Sequence, residues 1–139
     1  MAALEAAISD TWSWARATAK AGAQALDPRL DTTAYPLVSM IGWRGDMRPS
    51  ELAAALHLDR STVSRQIDSA ARLGLLERVP DPDDARAVTV RLTEPARERM
   101  EALKAVRMER WRTALDEWEP GDITELTRLL GLLGQVRLT

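Results

Sequence analysis

The sequence predicts a mainly α fold with a small β-wing. Three observations carry that prediction: a pair of short helical patterns separated by a tight turn, a glycine stop after the second, and two strand-like runs flanking an acidic, proline-containing loop. All three fall within residues 49 to 95. Helix, turn, helix and wing in that order form a winged helix-turn-helix, a fold whose physical use is to lay one helix in a DNA groove. The apolar helices on either side are expected to be dimerisation helices. The expected division is 1–30 (N-terminal dimerisation helix), 31–95 (winged helix-turn-helix) and 96–139 (C-terminal dimerisation helices), in one intertwined globular unit.

In chain order, residues 3 to 26 are alanine-rich, lack proline, and predict a helix ending near Asp27-Pro28. A second helix is expected after Asp31, with Asp31 or Thr32 as cap and Tyr35, Leu37, Val38 and Ile41 inward. Met47-Arg48 leaves room for a short extended segment. Pro49-Ser50-Glu51, followed by Leu52, Ala53 and Leu56 at helical spacing, opens the third helix. His57-Leu58-Asp59 is the turn, Asp59 caps the fourth helix, and Gly74 stands where a left-handed residue ends it. Leu76 to Val79 and Ala87 to Leu92 are strand-like. In the second of these, Val88, Val90 and Leu92 are expected inward and Thr89 and Arg91 outward. Thr93 caps a charged helix from Glu94 to Glu117. Pro120-Gly121-Asp122 breaks it, and Ile123 to Val136 forms a last helix. Leu126, Leu129, Leu130, Leu132, Leu133, Val136 and Leu138 cover so much of that last segment that burial on several sides is expected. A second copy of the chain is the simplest partner.

Composition narrows the chemistry. There are no cysteines, which excludes disulfides, Cys-ligated zinc and thiol redox sensing by this chain. His57 is the only histidine, and one histidine without partners does not make a metal site. No phosphate-cradling loop, nucleophile elbow or dinucleotide fingerprint occurs, and the Asp83-Asp84 pair lies on an exposed loop, so no enzyme and no cofactor are implied. The amino terminus has neither the basic start nor the apolar block of a signal peptide, and no apolar run is long enough for a membrane span. A soluble, cytoplasmic chain is expected, with no membrane partner.

Nineteen basic residues against twenty-one acidic give a net charge of −2. Residues 47 to 92 carry seven of each, so any DNA binding must come from a few well-placed arginines rather than a basic surface. On a helical wheel of the fourth helix, Val63, Ile67, Ala70 and Ala71 form the core face. Ser61, Thr62, Arg65, Asp68, Ser69 and Arg72 lie opposite. Small hydroxyls at a helix start suit phosphate contact, and the forked donors of Arg65 match the O6 and N7 edge of guanine. In the wing, Arg86 is the lone cation of Asp81-Pro82-Asp83-Asp84-Ala85-Arg86. Asp81 or Asp84 is expected to orient it toward a minor groove, where the potential is most negative.

The run LAAALHLDRSTVSRQIDSAARLGLLERVPDPDDARAVTVRLTEPA resembles the core of the MarR family of winged-helix transcriptional regulators. The wing's D-P-x-D-x-R followed by a strand and L-T is its most specific part, and Gly74, Leu75 and Arg78 match a looser motif ahead of it. The resemblance implies a homodimer with interlocking terminal helices, usually a repressor on a palindromic operator, and a cleft that often takes small aromatic or phenolic effectors. It implies that Ser61, Thr62, Ser64, Arg65 and Arg86 contact double-stranded DNA, with Asp84 holding the wing arginine; Arg60 and Ser69 complete the expected DNA-binding set, and Asp81 is the second expected support of the wing. Ser69 departs from the pattern where many members carry a basic residue. Of the five tryptophans, Trp12, Trp43 and Trp111, together with Tyr35, are the candidates to line an effector cleft. The competing readings are a winged-helix protein-interaction module and a small-molecule-binding dimer without DNA binding.

Overall fold

The computed structural model describes residues 1–136. The elements are α1 (Ala2–Leu26), α2 (Tyr35–Arg44), α3 (Pro49–Leu56), α4 (Arg60–Arg72), β1 (Leu76–Pro80), β2 (Val88–Leu92), α5 (Glu94–Ala114) and α6 (Pro120–Leu133). The strands pair antiparallel with Leu76 opposite Leu92 and Pro80 opposite Val88. Met47 adds a single bridge to Val90, exchanging both backbone hydrogen bonds at 3.1 and 2.8 Å, so the expected short extended segment is an abbreviated third strand. The fold class is therefore mainly α with a small antiparallel wing, as the sequence predicts.

Two compact units divide the chain, Met1–Leu103 and the part beginning at Lys104. The first contains the core. Leu26 from α1, Leu37, Val38 and Ile41 from α2, Leu52 from α3, Val63 and Ile67 from α4, and Leu75, Val90 and Met100 all lie in it. Burial of such side chains stabilises by roughly 1.5–3 kcal/mol each, which holds α4 by its inner face and leaves its outer face free. Gly22 lets α1 approach α2 closely. A Cβ there would stand 2.4 Å from Cζ and Oη of the buried Tyr35. At the α1 C-terminus, Arg99 of α5 donates to the Leu26 carbonyl at 3.1 Å, and Asp27 pairs with Arg29 at 2.8 Å.

The second unit consists of the rest of α5 and α6. In the single chain Leu126, Leu129, Leu130, Leu132, Leu133 and Val136 are all exposed, and no residue of α6 is buried. Leu138 lies outside the described residues. Among the described residues, no helix is long and apolar enough to cross a membrane, and no group of three or more His, Asp or Glu could hold a metal ion.

Three local expectations are corrected. Helix α2 starts at Tyr35, after Ala34, because Asp31 instead accepts from the amide and hydroxyl of Thr33, each at 2.8 Å, and holds a turn. Helix α6 starts at Pro120 rather than Ile123, since a proline in the first helical turn needs no amide hydrogen bond. In β2, Val88 is 42% exposed while Thr89 is buried, because the Thr89 hydroxyl donates inward to Asp81 at 2.9 Å.

Candidate nucleic-acid interface

The helix-turn-helix is built from its caps. Glu51 accepts from the Arg48 amide at 2.7 Å and closes the start of α3. Its other end is His57, in the left-handed region at φ 53°, with Leu58 N–H reaching back to the Ala53 carbonyl at 3.0 Å. This sharp reversal delivers Asp59 as the cap of α4. Asp59 accepts from the Thr62 amide (2.7 Å), the Ser61 hydroxyl (2.6 Å) and the Thr62 hydroxyl (2.9 Å). These bonds, the Ser61 hydroxyl foremost, hold its carboxyl down at about 2. At the far end of α4, Gly74 adopts φ 73° and Leu75 N–H bonds the Ala70 carbonyl at 3.0 Å.

Helix α4 presents Arg60, Ser61, Ser64 and Arg65 to solvent, with Thr62 and Ser69 half-buried at its flanks. The structure changes what Ser61 and Thr62 do. Both hydroxyl protons go to Asp59, so in this arrangement neither can donate to a phosphate; they pin the first turn instead. Arg65 donates to the Thr62 hydroxyl oxygen at 3.3 Å, one turn back along the helix, and its remaining donors meet no partner among the described residues. Asp68, on the same outer side, is paired with Arg78 of β1 at 2.7 Å. The first turns of α3 and α4 enclose a hollow of about 270 Å³ lined by Pro49, Ser50 and Arg60.

The wing is organised around Asp81. Its buried carboxylate accepts from Arg48 Nε (2.7 Å), the Thr89 hydroxyl (2.9 Å), and the amides of Asp83 (2.9 Å) and Asp84 (3.1 Å). The Arg48 guanidinium is the largest of the influences that hold this carboxyl well below the usual carboxylate range. Asp84 in turn accepts from the Arg86 amide at 3.0 Å. Neither acid touches the Arg86 guanidinium: Asp84 fixes the backbone of Arg86, Asp81 fixes the loop, and the exposed side chain has no partner among the described residues. Arg48 is the residue that sequence reasoning missed. Only the need of Asp81 for a cation signalled it, and that partner lies 33 positions away in the chain.

The even charge count of residues 47 to 92 acquires a direction. Arg48, Arg78 and Arg91 are paired with Asp81, Asp68 and Glu77, while Glu51, Asp59 and Asp84 are turned onto amides and hydroxyls. Arg60, Arg65, Arg72 and Arg86 are left exposed without an ion pair among the described residues, and so is the Asp83 carboxylate.

The aromatic candidates are placed differently from one another. Trp12 and Trp43 are 58% and 49% exposed on α1 and α2, and Tyr35 is buried against Gly22. Trp111 is half-buried on the part of α5 in the second unit. A hollow of about 440 Å³ in that unit is lined by Val106, Glu109, Arg110, Thr113 and Ala114, and by none of the four.

Comparison with known proteins places the chain. The MarR family model matches residues 30–87, which hold the whole of α2 to α4, β1 and the wing loop. The HTH-type transcriptional regulator YxaD of Bacillus subtilis is 33% identical over 89 residues, 64% of this chain and 62% of that protein. The helix-turn-helix and wing of this chain match the MarR family. The chain spans less than two thirds of the length of the curated relatives it matches. The fold agrees with a MarR transcriptional regulator from Methanosarcina mazei at a TM-score of 0.75 and 19% identity, covering 96% of this chain and 94% of that one. FabT of Streptococcus pneumoniae, solved in complex with DNA, is 26% identical over 70% of this chain and 68% of its own, with a TM-score of 0.59.

Proposed function

We propose that this chain is a MarR-family transcriptional regulator that binds double-stranded DNA as a homodimer on a palindromic operator, and that it acts as a repressor. Helix α4 enters the major groove, with Arg65 reading a base edge and Arg60 and Ser64 beside it. Arg86 reaches from the wing to the adjacent minor groove. The observation that carries this reading is the set of exposed arginines without ion pairs on α4 and the wing, in a segment where every acid but Asp83 is engaged elsewhere among the described residues. The likeness to FabT, which was solved with DNA, supports it. The exposed leucines of α6 and the exposed Leu4, Trp12 and Trp14 of α1 supply apolar surface for pairing with a second copy.

Release by a small aromatic effector is the regulatory part of the proposal. Trp12 and Trp43, each about half exposed, are the candidates of the first unit for contact with such a ligand. Duplex binding measured against ionic strength tests the core of the reading: a protein that replaces counterions on phosphates loses affinity steeply as salt rises. A protein-interaction module shows no duplex binding at any salt.

A further inference from the structure

We infer that Arg48 is a positioning residue for DNA binding: by holding Asp81 it sets the wing against the helix-turn-helix and so determines whether Arg86 reaches its groove. The inference rests on the DNA-binding reading above.

Arg48 stands at the hinge of the two reading elements. Its backbone precedes α3, where its carbonyl accepts from the Glu51 and Leu52 amides at 3.0 and 3.1 Å, and its neighbour Met47 bridges to β2. Its side chain crosses to the far end of β1 and donates through Nε to Asp81 at 2.7 Å. From Asp81 the path continues along the loop. The carboxylate takes the amides of Asp83 and Asp84, Asp84 takes the amide of Arg86, and Asp81 N–H closes the loop on the Ala87 carbonyl at 3.0 Å. Three hydrogen bonds thus connect the Arg48 guanidinium to the backbone of Arg86. The loop residues 82–86 are all exposed and contribute no buried apolar side chain, so this network is what orders the tip. Without Arg48, the buried carboxylate of Asp81 loses its only cation among the described residues, and the loop is free to reorganise around it.

A residue that acts only on stability, or only through its own charge on DNA, weakens binding by the same factor whether or not Arg86 is present. A positioning residue does not. The test is a set of double-mutant cycles in the full chain, read by fluorescence anisotropy on a duplex selected from a random pool for binding to the unmodified protein, below each variant's melting temperature. Arg48→Ala is expected to weaken binding roughly tenfold, within the range for coupled neighbours. The same factor is expected in the Arg65→Ala background, and less than about twofold in the Arg86→Ala background. Asp81→Asn should follow the same pattern. Arg48→Lys, which keeps the charge but loses the planar fork, stands in if the alanine variant does not fold, with a smaller loss and the same dependence on Arg86. An undiminished loss in the Arg86→Ala background overturns the inference and leaves DNA binding intact. Failure of the unmodified chain to select any duplex overturns the DNA-binding reading itself.

Discussion

Replacing Arg65 by alanine separates reading from folding more cleanly than any other single change. In the structure its guanidinium is exposed and makes one long hydrogen bond, 3.3 Å to the Thr62 hydroxyl. Thr62 keeps its own bond to Asp59, so the first turn of α4 stays capped when Arg65 is truncated. The expected change in folding stability is therefore within about 0.5 kcal/mol, the ordinary range for a surface substitution. On DNA, a two-pronged contact to guanine is worth roughly 1–3 kcal/mol of discrimination. At about 1.4 kcal/mol per decade this corresponds to a Kd raised about 5- to 150-fold for each copy engaged. It should be accompanied by loss of base preference at one position of each half-site. Anisotropy titrations on the selected duplex and on its single-base-pair variants measure both, and a thermal melt supplies the control. A Kd within twofold of the unmodified chain, with base preference retained, refutes the placement of Arg65 in the groove. So does an affinity loss that merely tracks a fall in melting temperature.

Two further outcomes follow from the fold. Asp27, through its bonds from Arg29, and Asp59, through its bonds from Ser61 and Thr62, both have carboxyls held down at about 2 against an ordinary 3.8. Because the folded form is the more acidic, their stabilisation is complete above about pH 4 and is lost as pH falls through about 2. Thermal melts between pH 5 and 2 should show Asp27→Asn and Asp59→Asn starting lower and declining less steeply than the unmodified chain; parallel curves contradict the assignment. Gly22→Ala should destabilise although alanine favours a helix interior by about 1 kcal/mol. The new Cβ would meet the Tyr35 ring at 2.4 Å, so the ring must retreat about 1 Å from ordinary contact, and overpacking of this kind costs roughly 1–3 kcal/mol. A raised melting temperature would show that the α1–α2 contact yields.

The helix-turn-helix was legible in the sequence because its information is local. Pro49 and Asp59 mark helix starts, Gly74 marks a stop, and Val63, Ile67 and Ala70 recur at helical spacing. What escaped was set by contacts distant in the chain or by side-chain chemistry overriding pattern. The alternation Val88, Val90, Leu92 pointed Val88 inward, but the bond from Thr89 to Asp81 made the hydroxyl the buried side chain. Ser61 and Thr62 looked like phosphate donors because the sequence showed their position and not the acceptor competing for their protons. Arg48 carried no local mark of its task, since its partner is placed beside it only when the hairpin closes.

The central claim is that α4 and the wing read duplex DNA through a few arginines on a chain of balanced charge. The most direct measurement is the salt dependence of duplex affinity for the unmodified protein. If Arg60, Arg65 and Arg86 of two copies displace counterions, log Kd should rise with log salt with a slope of about 5. Duplex binding that is absent, or present with a slope near zero, contradicts the account.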